Sequence, residues 1–409
     1  MKTGPNKKRT AKRYIERTLS VSKLIKMIPE DLLDKIANDM NVDSQVKHLH
    51  GALVFRLFLF SILKSERLST RLMEFFYNSS EFKAFSDKGG HKTRHSSIAD
   101  RIKSIDSKYF EQIFKIIGEK LEKHFQSKTK KVMEILRFDS SMVSVSAALA
   151  GYGINIGKRN VKTQGKNKVK FTVGLKGDIT TDIHFHKEKS YASEDLALGE
   201  AITQSSHSHD CIVVFDRGLQ KRKVFAGFSE TGISFVTRAN TYIKYELDKV
   251  HKNIKGRKTD TLILEEDLIV YLFDHYNKKI NIPIRLIKAK RKTDNEPFYF
   301  LTNMIDITAS LVTDIYRRRW DIEVFFRFIK QELNFSTLLT YNENGIKVMM
   351  YMILITAMMI LIYKKVNKIE GYKITKLTFI DELQMEITKE IVIACGGDPK
   401  ILKKRYNID

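Results

Sequence analysis

The chain has 409 residues, is 43% apolar and carries a formal net charge of +24. That length leaves room for two or three domains with a sizeable core, and so large an excess of cations attracts polyanions, nucleic acid before acidic lipid. Two cysteines, Cys211 and Cys395, exclude a disulfide framework and a multi-thiolate zinc site, while the basic N-terminus MKTGPNKKRTAKRYIERTLS lacks the apolar run of a secretory signal. A reducing, cytoplasmic setting is the expectation.

From about Tyr14 to Gln126 apolar residues recur three and four apart, which predicts an all-α region. Gly89 and Gly90 then open a basic loop, HKTRHSSIADRIKSI, in which Ser97 and Asp100 have capping-box spacing and Ile98, Ile102 and Ile105 share a face. Such a loop and helix suit DNA contact, and an ordinary surface helix fits the same pattern.

The periodicity changes near Lys131. Leu136 to Val145, Lys168 to Leu175 and Asp182 to His186 read as strands, Glu194 to Gln204 as a helix, and CIVVF, Cys211 to Phe215, as a strand buried on both faces. This order is that of an α/β domain. A helix is expected beyond Gly218, followed from Ile233 to about Asn303 by a β-rich stretch with Gly256, Pro283 and Pro297 between its runs or at their edges. His184, His186, His207 and His209 could suggest zinc, but they lack a cysteine partner and match no compact ligand spacing.

Helical periodicity resumes after Asp306 and reaches VMMYMILITAMMILIY, Val348 to Tyr363. Those sixteen apolar residues fall short of the roughly 20 that a membrane helix needs, so a buried core helix and no stable membrane association are expected. The last forty residues read as mixed helix and loop.

The segment YRRRWDIEVFFRFIKQELNF, Tyr316 to Phe335, combines five basic residues and three acids with an apolar face. Wound as one helix at roughly 100° per residue, it places Tyr316, Arg319, Glu323 and Lys330 on one stripe and Ile322, Phe325, Phe328, Ile329 and Leu333 opposite. A solvated face laced with ion pairs gives the same pattern, and Asp321 is placed to cap a second helix, which would rotate Tyr316 and Arg319 off the stripe. Two further acids stand out. Asp139 sits on the first strand, and Asp216 ends the buried strand, where ligands bind in open α/β sheets and where an aspartate equally caps a turn. With Glu323 they supply the hard oxygen donors that Mg²⁺ or Mn²⁺ prefers, and two such ions can drive phosphodiester cleavage.

The spacing Tyr-x2-Arg-x3-Glu-x6-Lys at Tyr316, Arg319, Glu323 and Lys330 resembles the tetrad of DDE transposases of bacterial insertion sequences, in family four. FDSSMV and VVFDRG resemble the strands of the two aspartates, and FVTRAN and YFLTN those of the β-insertion, so that the likeness runs from about Arg94 to Leu339. It implies an RNase H-like catalytic core interrupted by a β-rich insertion, behind an all-α N-terminal DNA-binding domain. The corresponding boundaries are 1–126 for the helical domain, 131–230 and 306–365 for the core, 231–305 for the insertion and 366–409 for a C-terminal helical segment. It further implies Asp139, Asp216 and Glu323 as catalytic ligands of two Mg²⁺ ions, Mn²⁺ being an alternative, and DNA contacts by Tyr316, Arg319, Lys330, Arg217 and Trp320. The implied partners are double-stranded DNA, as terminal inverted repeats and target, and a second copy of the chain in a homodimer at the nucleoid. Two other readings remain: a transposase-derived DNA-binding protein that no longer cuts, and a two-metal structure-selective nuclease. The three carboxylates speak against the former, and the complete tetrad and β-insertion against the latter.

Overall fold

The structure is a computed structural model that describes residues 18–86, 91–125, 134–144, 154–156, 166–335, 338–340 and 342–401. The Gly89-Gly90 pair and the basic residues before Thr18 lie outside that set. Seven helices come first: α1 (Val21–Lys26), α2 (Glu30–Asp39), α3 (Gly51–Lys64), α4 (Thr70–Tyr77), α5 (Ser80–Ser86), α6 (His95–Ser104) and α7 (Ser107–Phe125). Helix α6 buries Ile98 and Ile102, as the spacing predicts. It starts two residues before Ser97, however, and the expected capping box is not the cap. The backbone N–H of His95 instead donates to Glu74 Oε2 of α4 at 2.8 Å, so that a carboxylate from a neighbouring helix satisfies the exposed amide.

A mixed sheet follows. Its strands are β1 (Ile135–Ser144), β2 (Ile154–Ile156), β3 (Lys166–Lys176), β4 (Ile179–His186), β5 (Ile212–Val214), β6 (Phe235–Ala239), β7 (Tyr245–Val250), β8 (Leu262–Phe273), β9 (Lys279–Arg291) and β10 (Pro297–Thr302). The order is β2-β3-β1-β5-β6-β10-β9-β8-β7, with β4 also on β3. Strands β1, β5 and β6 run parallel, whereas β1-β3-β4 and β6-β10-β9-β8-β7 are antiparallel. The β-rich stretch therefore continues the same sheet. Pro283 lies inside β9 rather than at the edge of a run; it stands opposite Tyr271 beside a register shift and beyond Arg285, where pairing with β10 stops.

Helices α8 (Glu194–Gln204) and α9 (Arg222–Glu230) cover one face, packing Leu198, Ile202, Phe225 and Phe228 on Leu136, Phe138, Val213 and Phe215. On the other face, α10 (Ala309–Arg317) sets Val312 and Ile315 against Ile135, Ile212 and Val214. Helix α11 (Trp320–Glu332) and helix α12 (Glu343–Val366) join Val143, Phe171 and Val173 in a third cluster. Alternation along β1 thus points Ile135, Arg137, Asp139 and Val143 toward α10–α12 and Leu136 and Phe138 toward α8 and α9.

The long apolar run is the middle of α12, and 94% of its most hydrophobic window is buried inside the protein. It shares one cluster with helices α1 to α7 and with α13 (Tyr372–Ala394). The expected mixture of helix and loop at the C-terminus is, in the described residues, α13, which buries Phe379, Leu383 and Ile387, followed by a turn at Cys395 and Gly396. The two ends of the described chain are bonded to each other. Leu19 exchanges hydrogen bonds with the Asn367 side chain at 3.0 and 2.8 Å, and the Val21 N–H donates to Glu382 at 2.9 Å.

Candidate active site

The register Arg137 with Val214 on the parallel strands β1 and β5 leaves Asp139 and Asp216 each two residues further on. They come level at the carboxyl end of β5, with side chains on the face covered by α10 and α11. Short backbone contacts hold each carboxylate: the Ser140 N–H donates to Asp139 Oδ1 at 2.8 Å and the Arg217 N–H to Asp216 Oδ1 at 2.7 Å. The Thr237 hydroxyl of β6 donates to the Phe215 carbonyl at 3.0 Å and fixes the end of β5.

Tyr316, Arg319, Glu323 and Lys330 do not belong to one helix. The chain breaks between α10 and α11, where the hydrogen bonds tighten from i+4 to i+3: Arg319 N–H to Tyr316 O at 2.9 Å, Asp321 N–H to Arg318 O at 3.2 Å and Ile322 N–H to Arg319 O at 3.2 Å. Arg319, the residue before α11, keeps helical backbone angles, so the break is a tight elbow and the stripe survives it. Asp321 makes no side-chain cap.

Across the elbow the Tyr316 hydroxyl donates toward Asp216 Oδ1 at 3.5 Å, and the Arg319 guanidinium bonds to Glu323 one helical turn later. Arg319 is 14% exposed, and its charge acts on both Asp139 and Asp216. One guanidinium is therefore set among the three carboxylates. Asp139 and Glu323 line a cleft of about 380 Å³ together with Phe326, Arg327 and Lys330, and the Lys330 ammonium lies 5.6 Å from the Phe326 ring. Asp216 stands outside that cleft, on the Tyr316 side.

Burial pushes the Asp139 carboxyl up to about 6; the Ser140 N–H and Arg319 oppose this, and the charges of Glu194 and Asp216 add to it. Burial likewise pushes the Tyr316 phenol up to about 12, against the pull of Arg319, and lowers the Lys330 ammonium against the attraction of Asp139. Asp139, Asp216 and Glu323 are hard oxygen donors of the kind that divalent cations prefer. The set is not a finished cage: among the described residues no three His, Cys, Asp or Glu side chains are grouped closely enough to hold an ion.

Arg217 is exposed beside Asp216. Trp320 is 53% exposed with the Arg327 guanidinium 6.0 Å over its ring, and it does not line the cleft. His186 is bonded to the Thr172 hydroxyl at 2.9 Å and stacks on Tyr191.

Sequence reasoning passed over Arg238. Its guanidinium lies 3.9 Å over the Phe298 ring, its Nε is buried without a partner, and the charges of Tyr316 and Asp216 act on it. The available signal was an arginine at an inward position of β6, two residues after the buried Val236. Glu194 was also passed over. It forms a 2.8 Å ion pair with the fully buried Lys170, and its side chain lies so close to Gly218 that a Cβ there would approach it to 3.1 Å. Glycine is what lets the loop after Asp216 run against α8.

A family model described as the transposase DDE domain matches residues 130–359. A Sinorhizobium fredii protein named as a transposase, y4zB, is 28% identical over 175 residues, 43% of this chain and 48% of the relative; the match thus spans about half of that relative. A Synechocystis protein named as a transposase for insertion sequence element IS4SA is 24% identical over 263 residues, 63% of this chain and 68% of the relative. Among solved structures, a piggyBac transposase synaptic complex with hairpin DNA superposes with a TM-score of 0.51 at 12% identity, covering 94% of this chain and 83% of that one, a likeness of fold. The family match takes in both strand aspartates and the whole elbow, over more than half of the chain, and the protein belongs to the DDE-type transposases of insertion sequences.

Proposed function

We propose that the chain cuts DNA at the terminal inverted repeats of its own element and transfers the freed ends into target DNA. The observation that carries this reading is the convergence of Asp139, Asp216 and Glu323, from two adjacent parallel strands and one helix, on a single guanidinium. The order β4-β3-β1-β5, antiparallel in its first part and parallel in its second, supports an RNase H-like core, with β6 to β10, inside residues 231–305, as the β-rich insertion.

In this reading Asp139, Asp216 and Glu323 would hold Mg²⁺, or Mn²⁺, which would supply Lewis-acid assistance to hydrolysis and transfer of the phosphodiester. Glu323 is freed for that task when Arg319 turns from it to a DNA phosphate, an exchange of one charge-assisted contact for another. Tyr316 and Arg238 stand on the Asp216 side and Lys330 on the Asp139 side, so that a strand crossing the centre meets a donor on either flank. Arg217 and Trp320 lie on exposed ground where flanking duplex would pass. The exposed side of α6, with Arg94, His95 and Lys103, is the helical surface offered to the repeats. Paired ends require two copies of the chain, which we assign to a homodimer.

The test is strand cleavage at the repeat boundaries in Mg²⁺, comparing wild type with Glu323→Ala. Cleavage by the wild type alone supports the reading. Binding without cleavage by both makes the chain a silent DNA-binding descendant, and cleavage by both moves the centre elsewhere.

A further inference from the structure

We propose that Arg137 is a positioning residue of this centre: from β1 it clamps the elbow between α10 and α11 and thereby sets Arg319 and Glu323 against Asp139. The inference rests on the active-site reading above and adds to it a residue that touches no DNA.

The geometry begins with the elbow itself. In a continuous helix the Arg318 carbonyl would accept from the Ile322 N–H, but here Ile322 turns to Arg319 O, and Arg318 O keeps only the i+3 bond from Asp321. The vacated acceptor position is taken by Arg137, whose Nε donates to Arg318 O at 2.6 Å. The same guanidinium donates through Nη2 to Asp321 Oδ2 at 2.7 Å. One planar fork therefore grips the backbone before Arg319 and the side chain after Trp320.

The placement of the clamp decides what it acts on. Arg137 and Asp139 lie two residues apart on β1 and point to the same face, so the strand that carries the first carboxylate also holds the elbow that carries the third. Arg137 is 6% exposed, whereas Asp321 is 56% exposed. An ion pair with one partner in water contributes little to stability, which leaves geometry as the main reason for a buried arginine here. Lysine cannot replace it, because a single ammonium lacks the rigid fork that spans a carbonyl and a carboxylate.

Trp320, the chain's single tryptophan, sits inside the clamped segment and reports on it without any catalysis. The experiment compares wild type, Arg137→Met, Arg137→Lys and Asp321→Asn in the full-length chain. It measures acrylamide quenching of Trp320, binding to repeat-end DNA, and nicking in Mg²⁺. Both Arg137 variants are expected to change Trp320 quenching at least about twofold and to slow nicking about 10²-fold, the scale of a misplacement near 1 Å. End binding should stay within about twofold of wild type, since no phosphate contact is removed. Asp321→Asn keeps a neutral acceptor and the Arg318 bond, and should nick within about tenfold of wild type. Folded Arg137 variants with wild-type quenching or wild-type nicking overturn the proposal. Should Arg137→Met fail to fold, Arg137→Lys decides by the same readouts. A wild type that binds ends without nicking overturns the active-site reading, and Trp320 quenching then decides by itself whether Arg137 fixes the elbow.

Discussion

Asp139 on β1 comes level with Asp216 just beyond the carboxyl end of β5, and Asp139 is held back from ionising by burial first and then by the charges of Glu194 and Asp216. Adjacent carboxylates on one face are costly to ionise together until a cation joins them. Much of what the centre should do in solution follows from that relationship.

The rate of nicking should depend on the charge of Asp139. With its carboxyl titrating at about 6, the metal-holding form is lost below that value. Nicking is expected to fall about tenfold per pH unit on the acid side and to level off above neutrality. A pH–rate profile at sub-saturating Mg²⁺, where proton and cation compete for the carboxylate, checks this, and a rate independent of pH between 5 and 7 contradicts it.

Stability should follow the same group with the sign of a raised carboxyl. Its folded value of about 6 exceeds the ordinary 3.8, so its stabilising contribution is complete below the ordinary value and is lost as the pH rises through 6. Asp139→Asn removes the charge and should stabilise the divalent-free protein by up to ~3 kcal/mol at pH 8 and about half of that at pH 5. Urea unfolding at the two pH values gives the comparison. Mg²⁺ should narrow the difference by stabilising wild type alone.

Arg238 and Lys330 flank the centre on opposite sides, and neither is among its carboxylates. Replacing either by alanine should weaken repeat-end binding and reduce the slope of log affinity against log salt by about one each. Filter binding over a salt series measures both. An unchanged slope for Arg238→Ala would falsify its assignment as a phosphate contact.

The Arg285–Asp267 pair is a bidentate bridge between β9 and β8 with both side chains fully buried, and Arg285 also donates to the carbonyls of Met304 and Ile307 just before α10. Asp267→Ala leaves a buried cation uncompensated and should cost about 3–5 kcal/mol. An apolar pair, Asp267→Leu with Arg285→Met, should recover most of the loss. Denaturant midpoints of wild type and the two variants test this.

The sequence was most legible where one local pattern decided the structure. CIVVF reads as a strand buried on both faces, β5 lies within it, and its last position comes directly before Asp216; Glu194 to Gln204 matched α8 residue for residue. The spacing from Tyr316 to Lys330 picked out residues that the fold brings around Asp139 and Asp216 but not the break between them, because the elbow is bonded to an arginine 181 positions earlier. The start of α6 was misplaced for the same reason, its cap being Glu74 of another helix. Helix α13 lies inside the expected C-terminal helical segment 366–409, but its bounds were not legible because it buries so narrow a stripe. Arg238 was hidden because its environment, an aromatic ring and two active-site groups, comes from three distant segments.

The bonds from Leu19 to Asn367 and from Val21 to Glu382 have a consequence for synthesis. Helices α1 to α7 are translated before the sheet, yet α12 and α13, which complete their core, are translated after it. Helices α1 to α7 must therefore wait, with apolar surface uncovered, until the sheet has been made. A nascent chain stalled before Glu343 would lack the helices that close this core, and the packed form of α1 to α7 would arrive all at once.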